Sequence, residues 1–268
     1  MAQVQKPEVR EAFVAAAART FAELGYDATT MGAVASRAGS SIGNLYKYFS
    51  SKDQLFAAAV PEELVRELSR RTRARMRALG AVKDVRELEP RAEYHALAGD
   101  LLDYCLANRA AVVVVLARAE GTPFAGFKRD FVSQLVKWAL DYARGAYPEL
   151  RATAELRFAL EHAYQAFVSG VAAALRAFSD EAQARAVIAR LTAQHQGGLK
   201  RLFEYEGEPH AESRHAEPSS LVAEAPGTRA RDARALGANP GAAAARAGQA
   251  DRPRRPRRRG RAGRARHD

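Results

Sequence analysis

The sequence predicts an all-α fold, in which a small N-terminal three-helix unit containing a helix-turn-helix is followed by a larger helical bundle. Three observations support this. Apolar residues recur at spacings of three and four from Val9 to Leu202. Glycine and proline divide these patterns at Gly25, Gly39, Pro61, Pro90 and Pro123. The one β-branched run, AVVVVLA at 111–117, lies among helical patterns with no partner strand in sight, so it too is assigned to a buried helix.

In chain order, Val9, Phe13, Ala16, Ala17, Phe21 and Leu24 form one face of a helix over 9–24, which Gly25 stops. Met31, Val34, Ala35 and Ala38 form the inner face of a short second helix over 30–38, with Thr30 as its cap. Gly39 makes the turn into a third helix from about Ser41, which buries Leu45 and Phe49. Ser50, Ser51 and Asp53 mark a new helix start, and Leu55, Phe56, Ala59, Leu64 and Leu68 face inward from there. Pro61 lacks a donor and crowds the preceding turn, so a kink or break is expected near Val60. The arginines between Arg66 and Arg77 read as a solvated face. After a polar link over 81–90 come helical patterns at about 91–108, 110–119 and 124–145, then two long ones at 151–178 and 180–203.

Composition bounds the function. At 268 residues and 47% apolar, the chain can bury a substantial core, but large apolar residues almost vanish after Gly207. Residues 207–268 hold 14 Arg against 7 acidic residues, so +7 of the formal +11 belongs to this tail. The tail cannot offset its ordering entropy by burial and is expected to be disordered, its arginines attracting phosphates without sequence preference. High net charge is therefore poor evidence that the folded part binds nucleic acid. A single cysteine, Cys105, excludes an intrachain disulfide. The N-terminal MAQVQKPEVREAF lacks a secretion pattern, and the apolar run Ala110–Ala117 is too short to span a bilayer, so a soluble cytoplasmic protein is expected.

Chemistry suited to DNA is concentrated on the third helix. Ser41 can donate to a phosphate or base edge, Gly43 permits close backbone approach, and Asn44 offers paired groups to adenine. Lys47 can reach guanine or phosphate, Ile42 lies on the same outer side, and Tyr46 and Tyr48 can send hydroxyls to phosphates while their rings pack. Lys52, at the start of the next helix, is a second phosphate clamp. One short helix reads few bases, so a two-fold dimer on a palindromic site is expected. The long helices supply interface candidates in Phe167, Val171, Leu175, Val187, Leu191, His195 and Leu199.

The stretch FAELGYDATTMGAVASRAGSSIGNLYKYFSSKDQLFAAA, within about Arg10 to Phe56, closely resembles the DNA-binding domain of the TetR/AcrR family of bacterial transcriptional repressors. The resemblance rests on F-x-E-x-G-Y-x-x-T-T, A-x-x-A-G and above all G-x-L-Y-x-Y-F-x-S-K. It implies an all-helical dimer on operator palindromes, released by a small hydrophobic or amphipathic ligand in the C-terminal domain. It also implies DNA contacts at Thr30, Ser41, Gly43, Asn44, Tyr46, Lys47, Tyr48 and Lys52. Ser40 replaces a usual small aliphatic residue, and Ile42 a frequent polar or basic one, which suits Ile42 to a thymine methyl. The expected organisation is a helix-turn-helix domain at 8–54, an effector-binding and dimerisation domain at 55–205, and the tail at 206–268.

Beyond the first fifty or so residues only helical pattern and length support the resemblance. Candidate lining for a closed apolar effector cavity is Tyr94, Leu97, Leu101, Cys105, Phe127, Phe131, Trp138, Tyr142, Phe158, His162 and Phe167, residues of mixed chemistry on apolar helices. No cofactor or metal is expected: histidines are dispersed, and neither H-E-x-x-H, paired cysteines nor a phosphate-binding glycine loop occurs. An enzyme is therefore not expected. The alternative to a ligand-responsive repressor is a non-specific nucleic-acid-binding protein driven by the Arg-rich tail, and a third reading is a helical scaffold without a DNA role.

Overall fold

A computed structural model describes residues 6–80, 82–84 and 87–205. The Arg-rich tail lies outside the described residues, and with it the expectation of disorder. Among the described residues the helices are α1 (Pro7–Leu24), α2 (Met31–Arg37), α3 (Ile42–Tyr48), α4 (Lys52–Ala59), α5 (Glu62–Arg77), α6 (Glu93–Ala107), α7 (Arg109–Ala117), α8 (Phe127–Ala146), α9 (Ala154–Ala177) and α10 (Glu181–Glu204).

α1 roofs α2 and α4, and Phe13, Phe21, Val34, Leu45 and Leu55 meet beneath it with almost no exposure. The other side of α1 lies on α7, so one apolar core runs from Phe13 through the valines of α7 to Phe203 on α10. This explains why a valine run becomes a helix. Each β-branched residue costs a helix at most about 0.7 kcal/mol in propensity, whereas burying a valine side chain returns about 1.5 kcal/mol or more. Val112, Val113, Val114 and Val115 are each at most 1% exposed, so burial wins.

The break at Pro61 occurs as expected. α4 ends at Ala59, its cap Val60 leaves the helical region at φ −133 and ψ 74, and Pro61 caps the start of α5 from an extended conformation. Val60 is 1% exposed, so the joint is seated in the core rather than loose in solvent. A second junction lies between α7 and α8. Gly121 has φ +74, a conformation that favours glycine, and a Cβ placed there would lie 2.7 Å from Asp27 Oδ1 in the α1–α2 loop. Nearby, Phe124 meets the ring of Phe56 on α4. α9 and α10 run side by side and close the bundle.

Candidate nucleic-acid interface

Local hydrogen bonds build the α2–α3 unit. Thr30 Oγ1 accepts from the Ala33 amide at 3.1 Å, satisfying an orphan donor of the first turn of α2. At its other end Gly39, with φ +65, lets the Ser40 amide reach back to the Ala35 carbonyl (2.9 Å) and its own amide reach Ser36 (3.0 Å). This is the paired closure of a Schellman turn, and it fixes the direction in which the chain leaves α2. Ser41 Oγ then caps α3 by accepting from the Asn44 amide at 3.1 Å. Leu45 (0% exposed) and Phe49 (3%) anchor α3 to the core.

The outer surface of α3 consists of Ser41, Ile42, Gly43, Tyr46 and Lys47, all exposed. Ile42 and Tyr46, one turn apart, remain 48% and 51% exposed, an unusual amount of apolar surface for a helix of this length to leave uncovered. Nothing lies within 4 Å of a Cβ built on Gly43, so nothing inside the chain requires that glycine.

Asn44, Tyr48 and Lys52, also predicted contacts, are engaged within the chain. Asn44 is half-buried, and its amide donates to Ser40 Oγ at 3.0 Å. Tyr48 packs its ring on Phe13, and its hydroxyl accepts from the Lys6 amide. Lys52 is a staple: its ammonium donates to the carbonyls of Tyr26 (2.9 Å) and Thr29 (3.3 Å) and sits over the Tyr26 ring. The Tyr26 hydroxyl in turn donates to Asp53, and burial followed by that carboxylate pushes its pKa up to about 12. The sequence does not signal this Tyr26–Lys52–Asp53 network. Nor does it signal that Ser40, the departure from the family pattern, gives the Asn44 amide a partner.

Two open grooves among the described residues, of about 480 and 420 Å³, are lined by none of the eleven candidates. The larger is edged by Glu120, Lys128, Arg129, Glu161 and Gln165. Phe158 is 64% exposed and stacks on an exposed His162, whose Nδ1 meets the Phe158 carbonyl, so both lie on the outside of α9. Tyr94, Cys105 and Phe131 are buried, while Leu97, Leu101, Phe127, Trp138, Tyr142 and Phe167 are half-buried packing residues. Desolvation pushes the Cys105 thiol up to about 12, and the Tyr142 hydroxyl bonds to the Val82 carbonyl.

Among the dimer candidates, Leu175 is 1% exposed inside this chain. Val171, Val187, Leu191 and Leu199 pack against the chain's own core, and Phe167 stacks on His195 with ring centroids 4.3 Å apart. These residues are thus engaged within the chain itself. Among the exposed residues of these helices are Phe158 and a row of small residues, Ala182, Ala186, Ala189 and Ala193. Among the described residues no three ligating side chains cluster as a metal site would require, and no helix is long and apolar enough to cross a membrane.

A Schellman turn joining two short helices, the second anchored by leucine and phenylalanine with its outer face uncovered, is a helix-turn-helix, the arrangement with which DNA-binding proteins set a second helix in the major groove. Residues 13–59 match the family model described as bacterial regulatory proteins, tetR family. The match lies within α1–α4 and takes in 47 of the 268 residues. No curated protein matches the chain. Among solved structures it is similar to a tetR-family transcriptional regulator from Streptomyces coelicolor, at 19% identity and TM-score 0.33, covering 75% of this chain and 90% of that one. It is also similar to a TetR family transcriptional regulator from Chloroflexus aurantiacus, at 17% identity and TM-score 0.39, with the same coverage. These overlays are loose, and the likeness to the tetR family rests on the N-terminal match.

Proposed function

We propose that the chain is a cytoplasmic homodimeric repressor that binds a palindromic operator through α3 and leaves it when a small hydrophobic or amphipathic ligand binds the bundle. The observation that carries this reading is the outer face of α3, where Ile42, Gly43, Tyr46 and Lys47 are exposed around a fully buried Leu45. Side chains of this kind suit a major groove: a methyl-sized apolar contact, a position without a side chain, a hydroxyl for phosphate and a cation. Asn44 joins them by exchanging Ser40 for a base edge. Lys52 orients the loop ahead of α2 and keeps one ammonium hydrogen for a phosphate. In the organisation proposed, residues 8–54 read DNA and residues 55–205 bind effector and partner. The exposed Phe158 and alanine row on α9 and α10 support pairing with a second copy, which would set two reading helices roughly 34–36 Å apart. Ligand binding would act on α5, and through the seated joint at Val60–Pro61 on α4 and the DNA-binding unit.

Selection of operator sequences from random DNA by the purified full chain tests this. The expected result is a palindromic footprint retained when residues 207–268 are deleted and lost when Asn44 and Lys47 are both replaced by alanine. Equal affinity for unrelated DNA with identical salt dependence, or loss of binding with the tail alone, would refute it.

A further inference from the structure

α5 carries its arginines in two ways. Arg66, Arg70 and Arg71 pair with Glu62, Glu63 and Glu67 along the helix, while Arg73 and Arg77 stand in solvent. Arg75 does neither. It turns inward, donates from Nη2 to the Tyr94 hydroxyl at 2.7 Å and lies over that ring, and no carboxylate among the described residues pairs with it. Its Nε is buried without a partner. The Tyr94 oxygen also accepts from Gln196 Nε2 at 2.5 Å, so its own hydrogen is left to donate elsewhere. Beside them His195 is held edge-on to Tyr164 and flat on Phe167, and its Nε2 is likewise buried and unpartnered. Burial and the nearby Arg75 charge keep this imidazole neutral.

Helices α5, α6, α9 and α10 therefore converge on donors without an anion. Half-buried Arg75 has an enclosed Nε without an acceptor and an Nη2 that meets only a phenol, and a carboxylate is the group that would complete it, because a guanidinium matches carboxylate geometry with two parallel bonds. Aromatic rings flank these donors, which suits a ligand with an apolar body. The geometry points to an effector that is an amphipathic carboxylic acid, its carboxylate held by Arg75 and Tyr94 with His195 and Gln196 at its edge, and its body against Phe167 and Tyr164. This rests on the effector reading above and names the ligand class. It also places the charge of the ligand on α5, the helix that continues into α4 across Pro61.

The test uses the full chain without DNA. Octanoate, decanoate, dodecanoate, phenylacetate and indole-3-acetate are each titrated beside the alcohol of the same skeleton, with acetate and phosphate as small-anion controls. Binding is read by calorimetry and by the fluorescence of Trp138, the single tryptophan. At least one acid is expected to bind tenfold or more tightly than its alcohol. Arg75→Gln is expected to bring the pair within twofold, Arg75→Lys to keep part of the preference, and Tyr94→Phe to weaken the acid severalfold. Circular dichroism melting establishes that each variant is folded, and Tyr94→Phe carries the test if Arg75→Gln is not. Equal binding of acids and alcohols, no binding by any acid, a preference that survives in the variants, or acetate binding as tightly as the longer acids would each overturn the proposal. Operator release is measured separately. Acid binding that leaves DNA affinity unchanged refutes the repressor coupling alone, and release by neutral ligands only refutes the acid alone.

Discussion

The α1–α4 unit and the α5–α10 bundle share one core but are specified in different ways. In the first, short-range bonds set the caps and the turn: Thr30 to Ala33, Ser41 to Asn44, Ser51 to Gln54 and Asn44 to Ser40 each span three or four residues. In the second, the telling contacts join distant residues, such as Gln196 to Tyr94 across 102 positions and Arg109 to the Phe178 carbonyl across 69. A local code leaves motifs that can be read directly, whereas a code of tertiary contacts leaves only periodicity. The lesson is that the reading head is constrained residue by residue and the bundle mainly by volume and by which polar groups meet.

Four substitutions bear on this contrast. Leu45→Ala removes the anchor of α3, and the loss should be about 2–5 kcal/mol. Chemical denaturation followed by tyrosine and tryptophan signals checks it; a change below 1 kcal/mol would mean that the caps, not the core, hold α3. In the bundle, His195 has a pKa lowered to about 4 by burial and by Arg75. Because the folded state holds the imidazole neutral while the unfolded chain protonates near its ordinary value of about 6.5, stability falls as pH drops through that window and levels off near 4. The contribution reaches at most about 3 kcal/mol. Replacing His195 with asparagine should remove that share of the acid sensitivity, as read from urea midpoints between pH 7 and 4; parallel curves for the two proteins would contradict it.

Gly43→Ala separates stability from recognition. A methyl there meets nothing within 4 Å, and alanine favours a helix over glycine by up to about 1 kcal/mol, so the melting temperature should hold or rise. Operator affinity should fall tenfold or more if DNA backbone or bases approach this position, and unchanged affinity would remove Gly43 from the interface. The smallest effect is expected from Ser40→Ala, which releases the Asn44 amide. Operator affinity should change about two- to fivefold with stability altered by less than about 1 kcal/mol, and a larger loss of stability would make Ser40 a structural residue.

Helix order and the break at Pro61 were legible because glycine, proline and cap residues act within one turn. The half-engaged states of Asn44, Tyr48 and Lys52 were not, since residue type reveals chemical capacity but not the partner already using it. α9 misled for another reason. It is apolar on two adjacent faces, so Leu160, Tyr164, Val168 and Leu175 are buried while the neighbouring Phe167 and Val171 only partly are. Periodicity located the helix without choosing its inner side. Phe158 and His162 show the same ambiguity, since an aromatic pair at helical spacing signals a shared face whether or not another helix covers it. Arg75 lies in a run whose spacing fits a solvated basic face, and nothing in the spacing of α5 shows that Tyr94 lies opposite.

Gly121 shows where a substitution would be felt and how. A Cβ there would sit 2.7 Å from a carboxylate oxygen of Asp27, but that side chain is exposed and can swing aside, so the crowding alone is cheap to relieve. The backbone cannot adjust in the same way, because its φ of +74 is one that residues with a side chain rarely adopt. A replacement at position 121 would therefore strain the entry to α8 first and disturb the loop ahead of α2 only through the displaced carboxylate.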